Sequence, residues 1–238
     1  MAMDLPPSIG LPNGPRVDPP RGRLVNIAIL GGTGKEGAGL AIRWALAGHS
    51  IIIGSRDAER ARGKAAELRE ITKKLPIVGH TNAEAAELGD VVVIALPAAG
   101  LQTTLPEVAS ACRGKIVVST VVPLTFGGPR LFTPPPAGSA AEEVQALLPE
   151  ATVVAAFHHI AAHELAELDE SINCDLLVCG RDADAKDTVA ELGRSIGLRT
   201  IDAGPLSNAG PVEGITAVLA TINRRYKIKN SGIKITGL

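Results

Sequence analysis

Aromatic side chains are scarce: 238 residues hold three Phe, one Trp and one Tyr, or 2% of the chain. So few rings cannot furnish the stacking platforms on which single-stranded nucleic acids are read. An excess of charge is missing too, with 24 basic residues against 25 acidic ones and a net charge of −1, so no field draws in polyanions. The three cysteines, Cys112, Cys174 and Cys179, are odd in number and form no C-x-x-C. That argues against a disulfide framework and for buried free thiols in a reducing cytoplasm. No apolar run approaches the roughly 20 residues of a membrane span, and the N-terminus lacks the apolar core of a signal peptide.

What is present is aliphatic. Hydrophobic residues make up 45% of the chain, so Ala, Val, Leu and Ile do the packing, as in parallel sheets covered by helices. The length suits one large α/β core, or one core with a small appendage. Residues 1–22 stand apart: Pro6, Pro7, Pro12, Pro15, Pro19 and Pro20 alternate with small residues, which predicts a disordered tail. From Val25 onward, short β-branched runs alternate with helical periodicity, the pattern of βαβ units. The expected class is α/β, a doubly wound parallel-sheet Rossmann domain with a smaller C-terminal helical portion. Residues 123–139, with Pro123, Gly127, Gly128, Pro129 and Pro134–Pro136, form a loop longer than compact domains usually carry. The last helix is expected from Pro211, as its first residue, to Tyr226.

The most informative stretch is Asn26–Gly37, where a β-rich run feeds G-x-G-x-x-G at Gly32, Gly34 and Gly37. The first glycine permits a tight turn, the second lets backbone approach a pyrophosphate, and the third lets helix pack on strand. The helix N-terminus then offers free N–H groups to phosphate. About twenty residues on, an NAD enzyme carries an acid for the ribose hydroxyl. This chain has Ser55 and Arg56 there, a hydroxyl and a cation that suit the 2′-phosphate of NADP(H), with Asp57 one position later.

In such sheets ligands lie beyond the carboxyl ends of the strands. That singles out the segments after each predicted strand, including 96–98, 121–123, 158–160 and 204–208, all expected on one rim. His158, His159 and His163 lack H-E-x-x-H and a completing carboxylate, so no metal is expected. One of His158 and His159 is expected to line the cleft while the other is a structural hydrogen-bonder. A histidine acid or base remains a further option, with His158 the candidate. No G-x-S-x-G and no rim cysteine supply a nucleophile. The basic ending, Arg224, Arg225, Lys227, Lys229 and Lys234, reads either as a solvated helix end or as an electropositive approach for an acidic second ligand.

Together these pieces resemble the NADPH-dependent reductases of coenzyme F420 (F420H2:NADP oxidoreductases). The likeness rests on Ile29–Gly34, Gly54–Arg56, Val154–His159, Asp202–Asn208, Asn223–Tyr226 and Thr236–Leu238. It implies a cytoplasmic homodimer, with a Rossmann NADP-binding domain at 23–203 and a C-terminal helical portion at 204–238 serving the F420 cleft and the dimer. It places Thr33, Gly34, Lys35 and Glu36 on the pyrophosphate side, and Ser55, Arg56 and Arg60 at the 2′-phosphate. Ala98 and Val122 would line the nicotinamide path with Ala162 nearby, and His158, Ile160, Ser207 and Asn208 would contact the deazaflavin. Lys35-Glu36 and the proline-rich loop depart from the family pattern. The implied reaction passes a hydride between C4 of nicotinamide and C5 of F420, with no obligate acid or base. The alternatives are a reductase of the same scaffold acting on a flavin, imine or pterin, and a non-catalytic NADP(H)-binding regulator.

Overall fold

A computed structural model describes residues 24–73 and 75–238; the expected tail 1–22 lies outside the described residues. The chain runs β1 (Asn26–Leu30), α1 (Lys35–Leu46), β2 (Ser50–Ser55), α2 (Ala58–Ile71), β3 (Ile77–Thr81), α3 (Asn82–Leu88) and β4 (Val91–Ile94). It continues through α4 (Leu101–Val108), β5 (Ile116–Ser119), α5 (Ala140–Leu147), β6 (Thr152–Ala155), α6 (Ala162–Ala166), β7 (Asp175–Gly180), α7 (Ala183–Ser195), β8 (Arg199–Asp202) and α8 (Ala209–Tyr226). All eight strands join one sheet in the order β3-β2-β1-β4-β5-β6-β7-β8. The order reverses between β1 and β4, which is the switch point where a doubly wound fold opens its crevice.

The inner strands are apolar on both faces because both faces are covered. Ile27 and Ile29 pack with α1, α2 and α7 through Leu40, Trp44, Leu68 and Val189. Ala28 and Leu30 pack on the other side with α3, α4 and α5 through Ala85, Leu105 and Val144. Such burial is worth roughly 25 cal/mol per Å2 of apolar surface, which is why unbroken β-branched runs were readable as buried strands. Trp44 fixes the first layer: it is fully buried, its indole N–H donates to Leu192 O at 3.0 Å, and its ring meets Phe157 edge-on at 5.2 Å. Emptying that position should cost about 3–5 kcal/mol.

Two expectations need correction. The sheet is not wholly parallel, because β7 runs antiparallel to β6 and β8 follows β7. And α8 begins at Ala209, so Pro211 is its third residue and not its first. Proline is tolerated there because first-turn N–H groups have no partner inside the helix. The long loop is shorter of structure than of order: Leu124 bridges Phe132, and Thr125 N donates to Leu131 O at 2.8 Å.

Candidate functional site

The carboxyl ends of five strands stand level. Leu30 pairs with Gly54 and Ile94, Ile94 with Ser119, and Ser119 with Ala155. The segments that leave those strands therefore open on one edge, which carries most of the residues singled out from sequence.

The glycines of the first turn divide by what they make room for. Gly31 has φ +78°, and a Cβ there would stand 2.6 Å from Ala95 O; the motif reading had passed over it. A Cβ on Gly37 would meet Gly32 Cα at 2.8 Å, so α1 can seat on the turn only without one. Gly34 differs: its φ is −77°, and an added Cβ would meet nothing closer than Gly31 O at 3.4 Å. The protein itself does not require a glycine at 34, which leaves the ligand as the reason for it. Gly34 is also the N-cap of α1 and gives no side-chain cap, so the first N–H groups of the helix face outward without a protein partner from that cap. Thr33 is half-buried, while Gly34 and Lys35 are exposed beside it.

At the end of β2, Ser55 is buried and its Oγ accepts Asp57 N–H at 3.2 Å, leaving the hydroxyl proton free. Asp57 is spoken for as the cap of α2, accepting Glu59 N–H at 2.9 Å and Arg60 N–H at 3.4 Å. It is a helix cap rather than a ribose ligand. The ion pairs of α2 are Arg62–Glu59 and Lys64–Glu67. Arg56 and Arg60 are exposed and have no acidic partner among the described residues.

Beyond β6 the backbone is strained. Phe157 is fully buried with φ +67°, a left-handed conformation that a bulky side chain adopts at a cost of about 1–3 kcal/mol. The Trp44 contact holds it there. The bend turns the next two residues in different directions. His159 Nε2 lies 2.9 Å from Asp175 O and fastens β7 to the rim, the structural role expected of one histidine of the pair. His158 is buried and held by Ala156 backbone, its carbonyl accepting from Thr216 Oγ1 at 3.1 Å, while Nε2 has no partner. Burial, with His159 adding to it, pushes the His158 ring down to about 3. The ring is neutral at physiological pH and serves as a hydrogen-bonding group, not as an acid. Ile160 is buried and returns its N–H to Phe157 O at 2.9 Å. Ala98 opens a 3₁₀ turn after β4, Val122 follows β5, and Ala162 starts α6; all three are half-buried at the same edge.

Residues 204–208 follow β8, which is parallel to β7 but runs opposite to β1, β2, β4, β5 and β6, contrary to expectation. The register nevertheless brings them close: Ala155 pairs with Cys179, and Val178 with Asp202, so β8 ends about level with the end of β6. Ser207 and Asn208 are exposed there, with Asn208 Nδ2 donating to Ala203 O at 2.7 Å. From this point α8 crosses the loop mouth. Both carboxylate oxygens of buried Glu213 accept first-turn N–H groups of α5, Ala140 at 3.0 Å and Ala141 at 3.1 Å. Burial pushes the Glu213 carboxyl up to about 7 despite those bonds.

Among the described residues no group of His, Cys, Asp and Glu could hold a metal, and no helix is long and apolar enough to cross a membrane. His163 pairs only with Glu167, at 3.5 Å on the exposed face of α6.

Known proteins share this arrangement. Residues 26–123 match the family described as NADP oxidoreductase, coenzyme F420-dependent. The F420-dependent NADP reductase of Methanocaldococcus jannaschii is 43% identical over 222 residues, spanning 90% of this chain and 99% of the relative. The chain belongs to the F420-dependent NADP reductase family. The reductase of Methanothermobacter marburgensis is 41% identical over the same shares of the two chains. A crystal structure of a putative F420-dependent NADP reductase from Arthrobacter sp. FB24 superposes with a TM-score of 0.77 at 28% identity, covering 90% of this chain and all of the other. Within this fold, four groups escaped the sequence reading: Gly31, the strained Phe157, Thr120, which follows β5 and donates to Ile94 O at 3.1 Å, and Glu213. Only Gly31 left a signal, as one more glycine in the run; the other three depend on contacts far apart in sequence.

Proposed function

We propose that this protein transfers a hydride between NADP(H) and coenzyme F420. The likeness along nearly the whole length of the reductases carries that reading, and the edge fits both ligands. NADP(H) and F420 bring the redox chemistry; the protein binds, aligns and dehydrates them. Gly32, Thr33, Gly34, Lys35 and Gly37 form the phosphate turn at the N-terminus of α1. Ser55 offers its free hydroxyl proton, and Arg56 with Arg60 their unpaired guanidinium groups, to the 2′-phosphate. Ala98, Val122 and Ala162 supply small or aliphatic walls for the nicotinamide. His158, Ile160, Ser207 and Asn208 bound the deazaflavin, His158 through its unpartnered Nε2 and Asn208 through an amide oxygen that bears no bond among the described residues. With His158 neutral, orientation and exclusion of water do the work in place of a resident acid.

In this reading 23–203 is the nucleotide domain and 204–238 the portion that closes the F420 cleft. The protein works as a cytoplasmic homodimer. Val218, 58% exposed, and Tyr226, 66% exposed, form an outward apolar strip on α8 that suits a second copy. The free, buried cysteines accord with a reducing compartment. The test is purified protein with NADPH and F420, against FMN as a control acceptor. Loss of the oxidised deazaflavin spectrum, with FMN untouched, is the expected result. Reduction of FMN but not F420 would move the assignment to another acceptor, and binding of NADPH without any turnover would leave a regulator.

A further inference from the structure

Glu36 is the second residue of α1, where a carboxylate beside a bound pyrophosphate would repel it. The side chain does not stay there. It turns inward so that Oε1 is buried without a hydrogen-bond partner, and the carboxyl lies against the Thr120 hydroxyl at the end of β5. Thr120 is itself buried and donates to Ile94 O at 3.1 Å. The Thr120 hydrogen bond favours the ionised carboxyl, but burial outweighs it and pushes the group up to about 8. Oε1 is left as an acceptor without a donor, which is costly in a buried site unless a ligand supplies one.

The position says which end of the ligand that is. With the 2′-phosphate at Arg56 after β2 and the pyrophosphate on α1, the rest of the dinucleotide runs over the ends of β4 and β5. Thr120, which lies against the Glu36 carboxyl, directly follows β5, and its own hydrogen-bond partner Ile94 ends β4. The donor at that end of NADP(H) is the amide of the nicotinamide ring. We propose that Glu36 is a positioning residue that accepts an N–H of the nicotinamide carboxamide on Oε1 while Thr120 holds its other oxygen. This replaces the pyrophosphate role that the family resemblance implied, and it rests on the NADP(H) reading above. An acceptor fixed by the start of α1 and by Thr120 sets the rotation of the carboxamide, and with it the face of the ring turned to the second ligand.

The test reads binding, not turnover. NADP+ is compared with its 3-acetylpyridine analogue, which has a methyl in place of the amide NH2, by titration calorimetry at pH 6.5. The unmodified protein should prefer NADP+ by about tenfold, one hydrogen bond's worth. Glu36→Met should erase that preference to within about twofold, by loss of the Oε1 acceptor, while 2′,5′-ADP binds it as before. Glu36→Gln keeps an amide oxygen in place and should keep the preference, guarding against a misfolded Met variant. An undiminished preference in Glu36→Met, or none in the unmodified protein, overturns the proposal. If the unmodified protein binds neither NADP+ nor 2′,5′-ADP, the NADP(H) reading falls first and takes this proposal with it.

Discussion

The two halves of the rim are built on opposite principles. The β1–α1–β2 side is made of backbone: a glycine turn, an uncapped helix end, and exposed arginines without acidic partners. Its polar groups face out and cost the fold little. The side reached from β6 and α8 is made of buried, over-determined side chains. Phe157 is held with φ +67° by Trp44, His158 is locked between Ala156 and Thr216, and Glu213 binds the start of α5. A pyrophosphate is gripped by any correctly shaped backbone, so the first half is generic and nearly free of strain. A planar heterocycle that must lie within reach of a second ring, as proposed for this side, needs fixed side chains, and the second half carries them.

The sharpest way to break that contrast is Gly34→Val. The position has ordinary φ and 3.4 Å of clearance, so the fold should survive with at most about 1 kcal/mol lost, while NADPH affinity falls at least about a hundredfold. Isothermal titration alongside thermal melting separates the two effects. Gly37→Val should do the reverse and unfold the turn, because its Cβ would meet Gly32 Cα at 2.8 Å. Next in size is Arg56→Glu, which removes a charge-assisted bond of about 1.5–3 kcal/mol and should weaken NADPH more than tenfold, narrowing the preference over NADH. Equal affinities for NADPH and NADH in the unmodified protein would contradict the 2′-phosphate assignment.

On the other half, Asn208→Ala should raise KM for F420 about tenfold and leave NADPH binding unchanged. Its Nδ2 also donates to Ala203 O, so a stability loss of about 1 kcal/mol should accompany it. A parallel loss of NADPH affinity would mean that the two halves are not separable. The smallest effect is on stability against pH. Glu36 at about 8 and Glu213 at about 7 bind protons in the folded state that their unfolded forms release near 4.5. Their stabilisation is therefore lost as pH rises toward about 8. His158, held down to about 3, opposes this below about 6.5, where the unfolded chain takes up a proton the folded one refuses. Urea midpoints should fall between about pH 6.5 and 8, and Glu36→Gln should flatten the slope.

The same division decides what could be read in the sequence. The alternation of strands and helices was visible in periodicity, because the inner strands are buried on both faces and their runs are unbroken. Gly34, Ser55 and Arg56 were visible because nucleotide grip is local in sequence. The reversal at β7 was not, since β7 is as apolar as its parallel neighbours and direction leaves no mark in composition. Nor was the start of α8, where Leu206–Asn208 forms a 3₁₀ turn that leads straight into the helix before Pro211. The inward turn of Glu36 depends on Thr120, eighty-four positions away in the chain (120 − 36). Phe157 gives no hint of its φ, which is supported by tertiary contacts such as that with Trp44.

The central claim is direct passage of a hydride between two ligands held on one edge. NADPH deuterated at the transferring face of C4 tests it, with mass analysis of the F420 reduced in a single turnover. Direct transfer predicts that the deuterium is retained at C5 of the deazaflavin, undiluted by solvent. Deuterium found in water, or F420 left oxidised while NADPH is bound, would contradict it.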